Sequence, residues 1–173
     1  SVEVCAFDSA IASYAWAATQ FGLKCTIKTP QMSSPYWIKK AKDLGAEVEF
    51  EGVKISDAAR IIDLNKKKPN FVSQFQNTAA YTYHKIVTGN AIEKAVDGVG
   101  DNKVSLLCYP ASSGALTGAA ISSKKKYPYS KNLLIEPEES STFYNNKKNT
   151  HRMYGMGYGF IPYIHNIYAT DYV

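Results

Sequence analysis

Five segments between Val2 and Phe50 alternate between the pattern of a strand and that of a helix, and this alternation restricts the fold more than any other feature of the chain. Val2 to Phe7 is a short apolar run. Ile11 to Phe21 is rich in alanine with its large residues spaced for one helical face; Asp8 or Ser9 stands at the N-cap position, and Gly22 stops the helix. Lys24 to Thr29 alternates as a strand and ends at Pro30. Ser34-Pro35 opens a second helix, with serine at the cap and proline at the first position; it ends at Leu44-Gly45, and Ala46 to Phe50 is a third strand. Strands joined in this way run parallel through right-handed crossovers, so the expected class is α/β, doubly wound, with mostly parallel sheets.

Asp57 to Leu64 predicts a further, shorter helix. The run Lys66 to Asn70, K-K-K-P-N, marks the expected boundary between a lobe of residues 1–68 and a lobe of residues 69–173, because a charge run followed by proline ends a helix and opens an extended segment. Phe71 to Phe75 then reads as a brief strand or ordered loop. Ala79 to Val96 reads as a long helix that Gly89 can interrupt. Val104 to Tyr109 has the length and branching of a strand buried on both faces, and Leu116 to Ser123 predicts a helix of small residues. Asn132 to Glu136 is another strand, Glu136 to Thr150 a polar, mobile loop. In Met153 to Pro162 glycines alternate with large residues, as backbone bends lining a ligand or a neighbouring strand do. The expected core includes Val4, Ile27, Val48, Leu106, Leu107, Leu134 and Ile135.

Between the strand at Val104 and the helix at Leu116 lie Ala111, Ser112, Ser113, Gly114 and Ala115. Unpaired N–H groups in the first turn of such a helix, together with its dipole, attract a phosphate whatever the side chains are. An ordinary tight connection in an α/β sheet uses the same kind of residues, and the stretch alone does not choose between the two.

With hydrophobic residues at 45%, charged residues at 20% and a net charge of +5, the composition is that of a globular protein. No apolar run approaches the roughly 20 residues of a membrane helix, and no secretory leader is expected. The clusters Lys39-Lys40-Lys42, Lys66-Lys67-Lys68 and Lys124-Lys125-Lys126 fall where helices end, a placement that favours the helix dipole; without stacking motifs they do not predict nucleic-acid binding. Cys5, Cys25 and Cys108 sit in or beside strand-like runs, and the lack of a Cys-x-x-Cys spacing points to reduced, structural thiols. His84, His151 and His165 show no metal-ligand spacing, so no metal is expected.

Four stretches together resemble the fold-type II pyridoxal-phosphate enzymes, the tryptophan-synthase-β-like fold, and among them the cysteine synthase and cystathionine β-synthase group. A-F-D-S-A-I, Ala6 to Ile11, stands where that family has S-G-N-T-G-I. Q-F-Q-N, Gln74 to Asn77, stands for Q-F-x-N, and His84 and Thr88-Gly89 continue the pattern. The stretch Tyr109 to Gly118 stands for the phosphate loop G-T-G-T-G-G-T-x-T-G, with Tyr109, Ala111 and Ser113 in place of glycines and Gly114, Thr117 and Gly118 kept. G-M-G-Y-G-F-I-P, Gly155 to Pro162, matches G-I-G-A-G-F-I-P.

The resemblance implies two α/β lobes, both incomplete here, with the cofactor in the cleft between them. It assigns the cofactor phosphate to Ala111, Ser112, Ser113, Gly114 and Ala115, and cofactor or substrate contacts to Asp8, Ser9, Gln74 and Gly155. Against retained chemistry, Asp8 replaces an asparagine that donates to the pyridoxal hydroxyl, Phe7 replaces a glycine, and Tyr109, Ala111 and Ser113 would crowd the phosphate. The lysine that carries the cofactor in the family precedes the first motif by some tens of residues, and none of the seven residues ahead of Asp8 is lysine. The expectation is therefore a non-catalytic relative that binds no cofactor and serves as a structural or interaction subunit of a larger assembly. Its partners would be other protein chains, not nucleic acid or a membrane, in an intracellular compartment, the mitochondrion being compatible with the basic charge. Tyr158, Tyr163, Tyr168 and Tyr172 would supply contact area. The alternative is an active pyridoxal-phosphate-dependent cysteine synthase or β-replacement lyase seen as an incomplete chain.

Overall fold

The computed structural model describes residues 1–99 and 105–173, in two units, Ser1–Gln74 and Phe75–Val173. The first unit is a parallel sheet of four strands, β1 (Val2–Cys5), β2 (Cys25–Thr29), β3 (Glu47–Phe50) and β4 (Phe71–Ser73), in the order β3-β2-β1-β4. Helices α1 (Ser9–Gln20) and α2 (Pro35–Asp43) connect the first three strands, and α3 (Ala58–Asn65), entered through a 3-10 turn at Ile55–Asp57, leads back to β4. Because β4 pairs with β1 through Glu3↔Phe71 and Val4↔Val72, the unit runs to Gln74, six residues beyond the boundary expected after Lys68. A charge run ended the helix, but the extended segment after it completes the same sheet.

Val4, Ile11, Ile27, Ala15, Ala18 and Ala41 form the core of this unit, with Val48 packed partly buried against it. Helix α1 turns Ile11 and the alanines Ala12, Ala15 and Ala18 inward, while Trp16, one of the large residues expected on that face, is 57% exposed. Alanines allow the helix axis to lie close to the sheet. On the sheet, the buried Lys28 of β2 reaches Glu49 and Glu51 at 2.6 Å each and Glu3 at 3.7 Å, while Lys68 holds Glu3 at 2.7 Å. Burial alone would lower the pKa of the Lys28 ammonium, but the hydrogen bonds and charges of Glu49 and Glu51 outweigh it and raise the pKa above its usual value.

The second unit opens with a nearly continuous helical stretch: α4 (Thr78–Tyr83), a π-helical turn at His84–Thr88, and α5 (Gly89–Asp97). The expected interruption at Gly89 is this turn, which ends immediately before it. Strands β5 (Leu106–Pro110) and β6 (Lys131–Ile135) pair in parallel and are joined by α6 (Thr117–Lys126). Val104 lies outside the described residues. Tyr109, Ala111, Ala120, Leu134 and Ala169 make the core, with Leu107 packed against it. Leu106 and Ile135, expected inside, are 50% and 43% exposed, and Cys108 is exposed as well, whereas Cys5 and Cys25 are buried. The run from Leu106 to Pro110 is apolar on both faces, yet in this two-stranded sheet only the Leu107 and Tyr109 face packs against helix.

Two tethers order the chain after β6. The Glu136 carboxylate accepts from the N–H groups of Phe143 and Tyr144 at 3.0 and 2.9 Å, and a short helix α7 (Thr142–Asn145) forms where a mobile loop was expected. The tail lies along β6. Asp171 N–H and Tyr172 N–H donate to Asn132 O, Leu134 N–H donates to Tyr172 O, and the Asp171 carboxylate takes Lys124 Nζ at 2.6 Å and Asn132 N–H at 2.8 Å. The hydrogen bond from Lys124, followed by that from Asn132, holds the Asp171 pKa below its ordinary value. A lowered folded-state pKa adds stability above the unfolded-state value and loses it as pH falls through the folded one. Asp171→Asn is accordingly expected to lower unfolding free energy by about 1 kcal/mol at neutral pH, with the gap closing in acid. Urea unfolding of both proteins at the two pH values measures it; a gap of equal size in acid would contradict the assignment.

Candidate functional site

In the first unit the strand order reverses between β1 and β4, and loops that leave the carboxyl ends of strands at such a switch point line the crevice where open α/β sheets hold ligands. These loops carry Phe7, Asp8 and Ser9 after β1 and Gln74 after β4. Phe7 N–H donates to Gln74 Oε1 at 2.7 Å, and Gln74 N–H donates to Cys5 O at 3.2 Å. The structure therefore brings Asp8, Ser9 and Gln74 together. With its carbonyl used, the Gln74 amide leaves its NH2 group to donate elsewhere.

Asp8 precedes α1 with φ 48°, a conformation that costs a non-glycine residue about 1–3 kcal/mol. Its side chain makes no capping bond, and Oδ2 is buried without a partner. Burial pushes its pKa above the ordinary carboxylate value. The same burial disfavours the ionised form that the expected repulsion of a phenolate assumes. A raised carboxyl pKa leaves stability intact below the unfolded-state value and removes it as pH rises through the folded one. Asp8→Asn should therefore melt higher than the parent at neutral pH, by about 1 kcal/mol of unfolding free energy, and lose that advantage in acid. Melting curves across the acid range test this; a pH-independent difference would sink it. Phe7, expected to occupy cofactor space, is 1% exposed, so its side chain is packed in protein.

In the second unit the loop between β5 and α6 begins with two satisfied donors: Ala111 N–H to Ile135 O at 2.8 Å and Ser112 N–H to Pro110 O at 2.9 Å. The next four N–H groups, of Ser113, Gly114, Ala115 and Leu116, have no acceptor among the described residues. Four such N–H groups are what the start of any helix leaves unpaired, and groups of this kind can hold an anion. Gly114 and Ala115 are buried. Gly114 has φ 89°, and a Cβ there would stand 2.8 Å from His165 N, which makes glycine the residue this turn requires. Thr117 Oγ1 donates to Gly114 O at 2.5 Å and accepts Asn166 N–H at 3.2 Å, fixing the turn from its helical side. No acidic residue lies in the first turn of α6, while Lys124, Lys125 and Lys126 fill the last. The positive end of the helix dipole is thus unopposed at the loop.

Two of the three residues expected to crowd this loop face the core. Tyr109 is buried in the core, its OH 2.6 Å from Thr170 Oγ1, and Ala111 joins the same cluster, because residues 107, 109 and 111 share one face of the strand. Ser113 is half-buried and its side chain is short. Gly155 lies in a glycine loop with φ 77°, two residues before Gly157, whose N–H donates to Ala111 O at 2.9 Å. That bond connects the glycine loop to Ala111 and the run after it. His151, which reaches the carbonyl of Gly157 at 2.9 Å, is a site residue that no spacing in the sequence marks. No group of three or more His, Cys, Asp or Glu side chains among the described residues could hold a metal ion, and no described helix is long and apolar enough to cross a membrane.

The family model for "Pyridoxal-phosphate dependent enzyme" matches residues 9–171. A cysteine synthase of Buchnera aphidicola is 32% identical over 181 residues, covering 93% of this chain and 53% of the relative. A probable cysteine synthase of Bacillus subtilis is 27% identical over 150 residues, covering 84% of this chain and 48% of the relative. The chain thus spans about half the length of the curated relatives it matches. Among solved structures, a hydrogen sulfide-producing enzyme of Fusobacterium nucleatum superposes with a TM-score of 0.79 at 23% identity, covering 98% of this chain and 59% of that one. A cysteine synthase of Entamoeba histolytica superposes with a TM-score of 0.78 at 25% identity, covering 99% and 51%.

Proposed function

This chain belongs to the pyridoxal-phosphate-dependent enzyme family, and from that premise we propose that it is a cofactor-holding part of a cysteine synthase-like β-replacement enzyme. The observation that carries the reading is the run of unpaired N–H groups from Ser113 to Leu116 at the start of α6. Those donors and the helix dipole hold the phosphate, and Thr117 keeps Gly114 in the conformation that aims them. In the first unit, Gln74 NH2 and the hydroxyl of Ser9 hold a substrate carboxylate. When bound, pyridoxal phosphate supplies an electron sink for the substrate α-carbon. Dialysed protein titrated with pyridoxal phosphate should show saturable changes in visible absorbance that inorganic phosphate competes away. No saturable uptake would overturn the proposal, and cysteine formation from O-acetylserine and sulfide tests the catalytic half of it.

A second reading, an interaction subunit of a larger assembly, draws on the outer face of β5 and β6, where Leu106, Cys108 and Ile135 are exposed, and on the exposed Tyr163, Tyr168 and Tyr172. Tyr158 does not contribute, being buried edge-on against Phe75. Apolar residues left uncovered favour association. Sedimentation of the purified chain decides this reading: a monodisperse monomer at high concentration removes it.

A further inference from the structure

The ring of His151 is held at both nitrogens. Nε2 lies 2.9 Å from Gly157 O, and Met153 N–H reaches Nδ1 at 3.2 Å. A carbonyl only accepts and an amide N–H only donates, so the two partners together require a neutral imidazole with its proton on Nε2. Gly157 is shaped to receive it. Its φ is 67°, and a Cβ there would stand 2.7 Å from Nε2 and 2.8 Å from the Pro137 ring, so only glycine lets the imidazole close on this carbonyl. Ser140 Oγ also donates to Gly157 O, but at 3.3 Å, long for a hydroxyl, which leaves the imidazole as the principal partner.

Gly157 is engaged on its other side as well. Its N–H donates to Ala111 O, while Ala111 N–H donates to Ile135 O, and the unpaired donors begin two residues later at Ser113. We propose that His151 is a positioning residue for the anion cradle: by clamping Gly157 it holds the Ala111 carbonyl, and through it the direction in which the N–H groups of Ser113 to Leu116 point. The segment 137–153 is thereby a strut for the cradle. Partners one step removed from a ligand fix the orientation of the groups that touch it, and their loss weakens binding without removing any direct contact. The proposal rests on the reading of residues 113–116 as a phosphate site, and the test separates the two.

Pyridoxal phosphate and inorganic phosphate are titrated into the parent protein, His151→Ala and His151→Gln. Alanine is expected to weaken both ligands by about tenfold, and glutamine, whose Nε2 can replace the imidazole donor, to recover most of that loss. Equal affinity of the parent and His151→Ala, or His151→Gln no better than His151→Ala, overturns the proposal. In ligand-free protein, the 15N shifts of the imidazole should show Nε2 protonated and Nδ1 bare; a proton on Nδ1 also overturns it. In His151→Ala the amide resonances of Gly157, Ala111 and Ser113 to Leu116 should move together, and a change that stops at Gly157 contradicts the link. If the parent binds neither ligand while those amides move, the phosphate reading falls and the role of His151 as a strut stands.

Discussion

Gly114→Ala is expected to lower phosphate affinity by about 100-fold, as if two charge-assisted hydrogen bonds were lost, and to destabilise the chain by about 3 kcal/mol. Two costs add at this position. The left-handed backbone at φ 89° disfavours any Cβ, and the Cβ would meet the backbone of His165, with N at 2.8 Å and Cα at 2.9 Å. Backbone cannot rotate aside as a side chain can, so the turn or the 162–166 segment has to move, and both carry bonds that aim the cradle: Thr117 to Gly114 O and Asn166 N–H to Thr117. Ser113→Gly, by contrast, removes only a short half-buried side chain and should bind phosphate as the parent does. Calorimetric titration with phosphate and urea unfolding of both variants measure the effects. Parent-like affinity in Gly114→Ala would show that this turn does not hold the anion.

The largest expected loss of stability outside the cradle follows Lys28→Met. Removing the ammonium leaves Glu49, Glu51 and Glu3 around a buried methionine with their shared counter-charge gone, although Lys68 still holds Glu3. Breaking a buried ion pair by removing one partner costs about 3 kcal/mol or more. The carboxylates are partly exposed, so water and salt take up some of the repulsion, and protonation takes up more. The destabilisation should therefore shrink as pH is lowered through the carboxylate range, and a second change, Glu51→Gln, should restore part of it at neutral pH. A small, pH-independent difference between Lys28→Met and the parent would mean that the cluster contributes little.

The first unit was legible because its signals were local. Ser34 and Pro35 mark the start of α2, Gly45 its end, and the apolar runs at Val2 and Cys25 are short enough to be strands only. The second was less so. An apolar run such as Leu106 to Pro110 reports that either face can be buried, but not how many strands or helices are there to bury it, and Leu106 and Cys108 face outward. The small residues of the loop after it fit an anion site and an ordinary connection equally, and the parity of the strand, which sends Tyr109 and Ala111 into the core, could not be judged by letter-by-letter comparison with glycines. Asp8 shows a different limit: residue type alone suggests an ordinary carboxylate, and only burial shows its pKa pushed up. His151 carried no local signal because its partners are backbone atoms of Met153 and Gly157, which sequence spacing does not distinguish.

The π-helical turn at His84–Thr88 sets the rotational phase of everything up to Asp97. Helix α6 approaches this stretch through small residues, at Gly118, where a Cβ would overlap Tyr81 O, and at Ser122, whose Cβ would stand 2.5 Å from one on Gly89. A π turn holds one residue more than the α-helical turn it replaces, so deleting a residue between His84 and Thr88 would regularise the hydrogen bonding while rotating α5 by roughly 100°. Gly89 would leave Ser122, and a residue with a side chain would arrive in a gap that admits none. A locally more regular helix would thus be a worse fit, which makes the extra residue a spacer that brings two glycines, far apart in sequence, into step on either side of one helix contact.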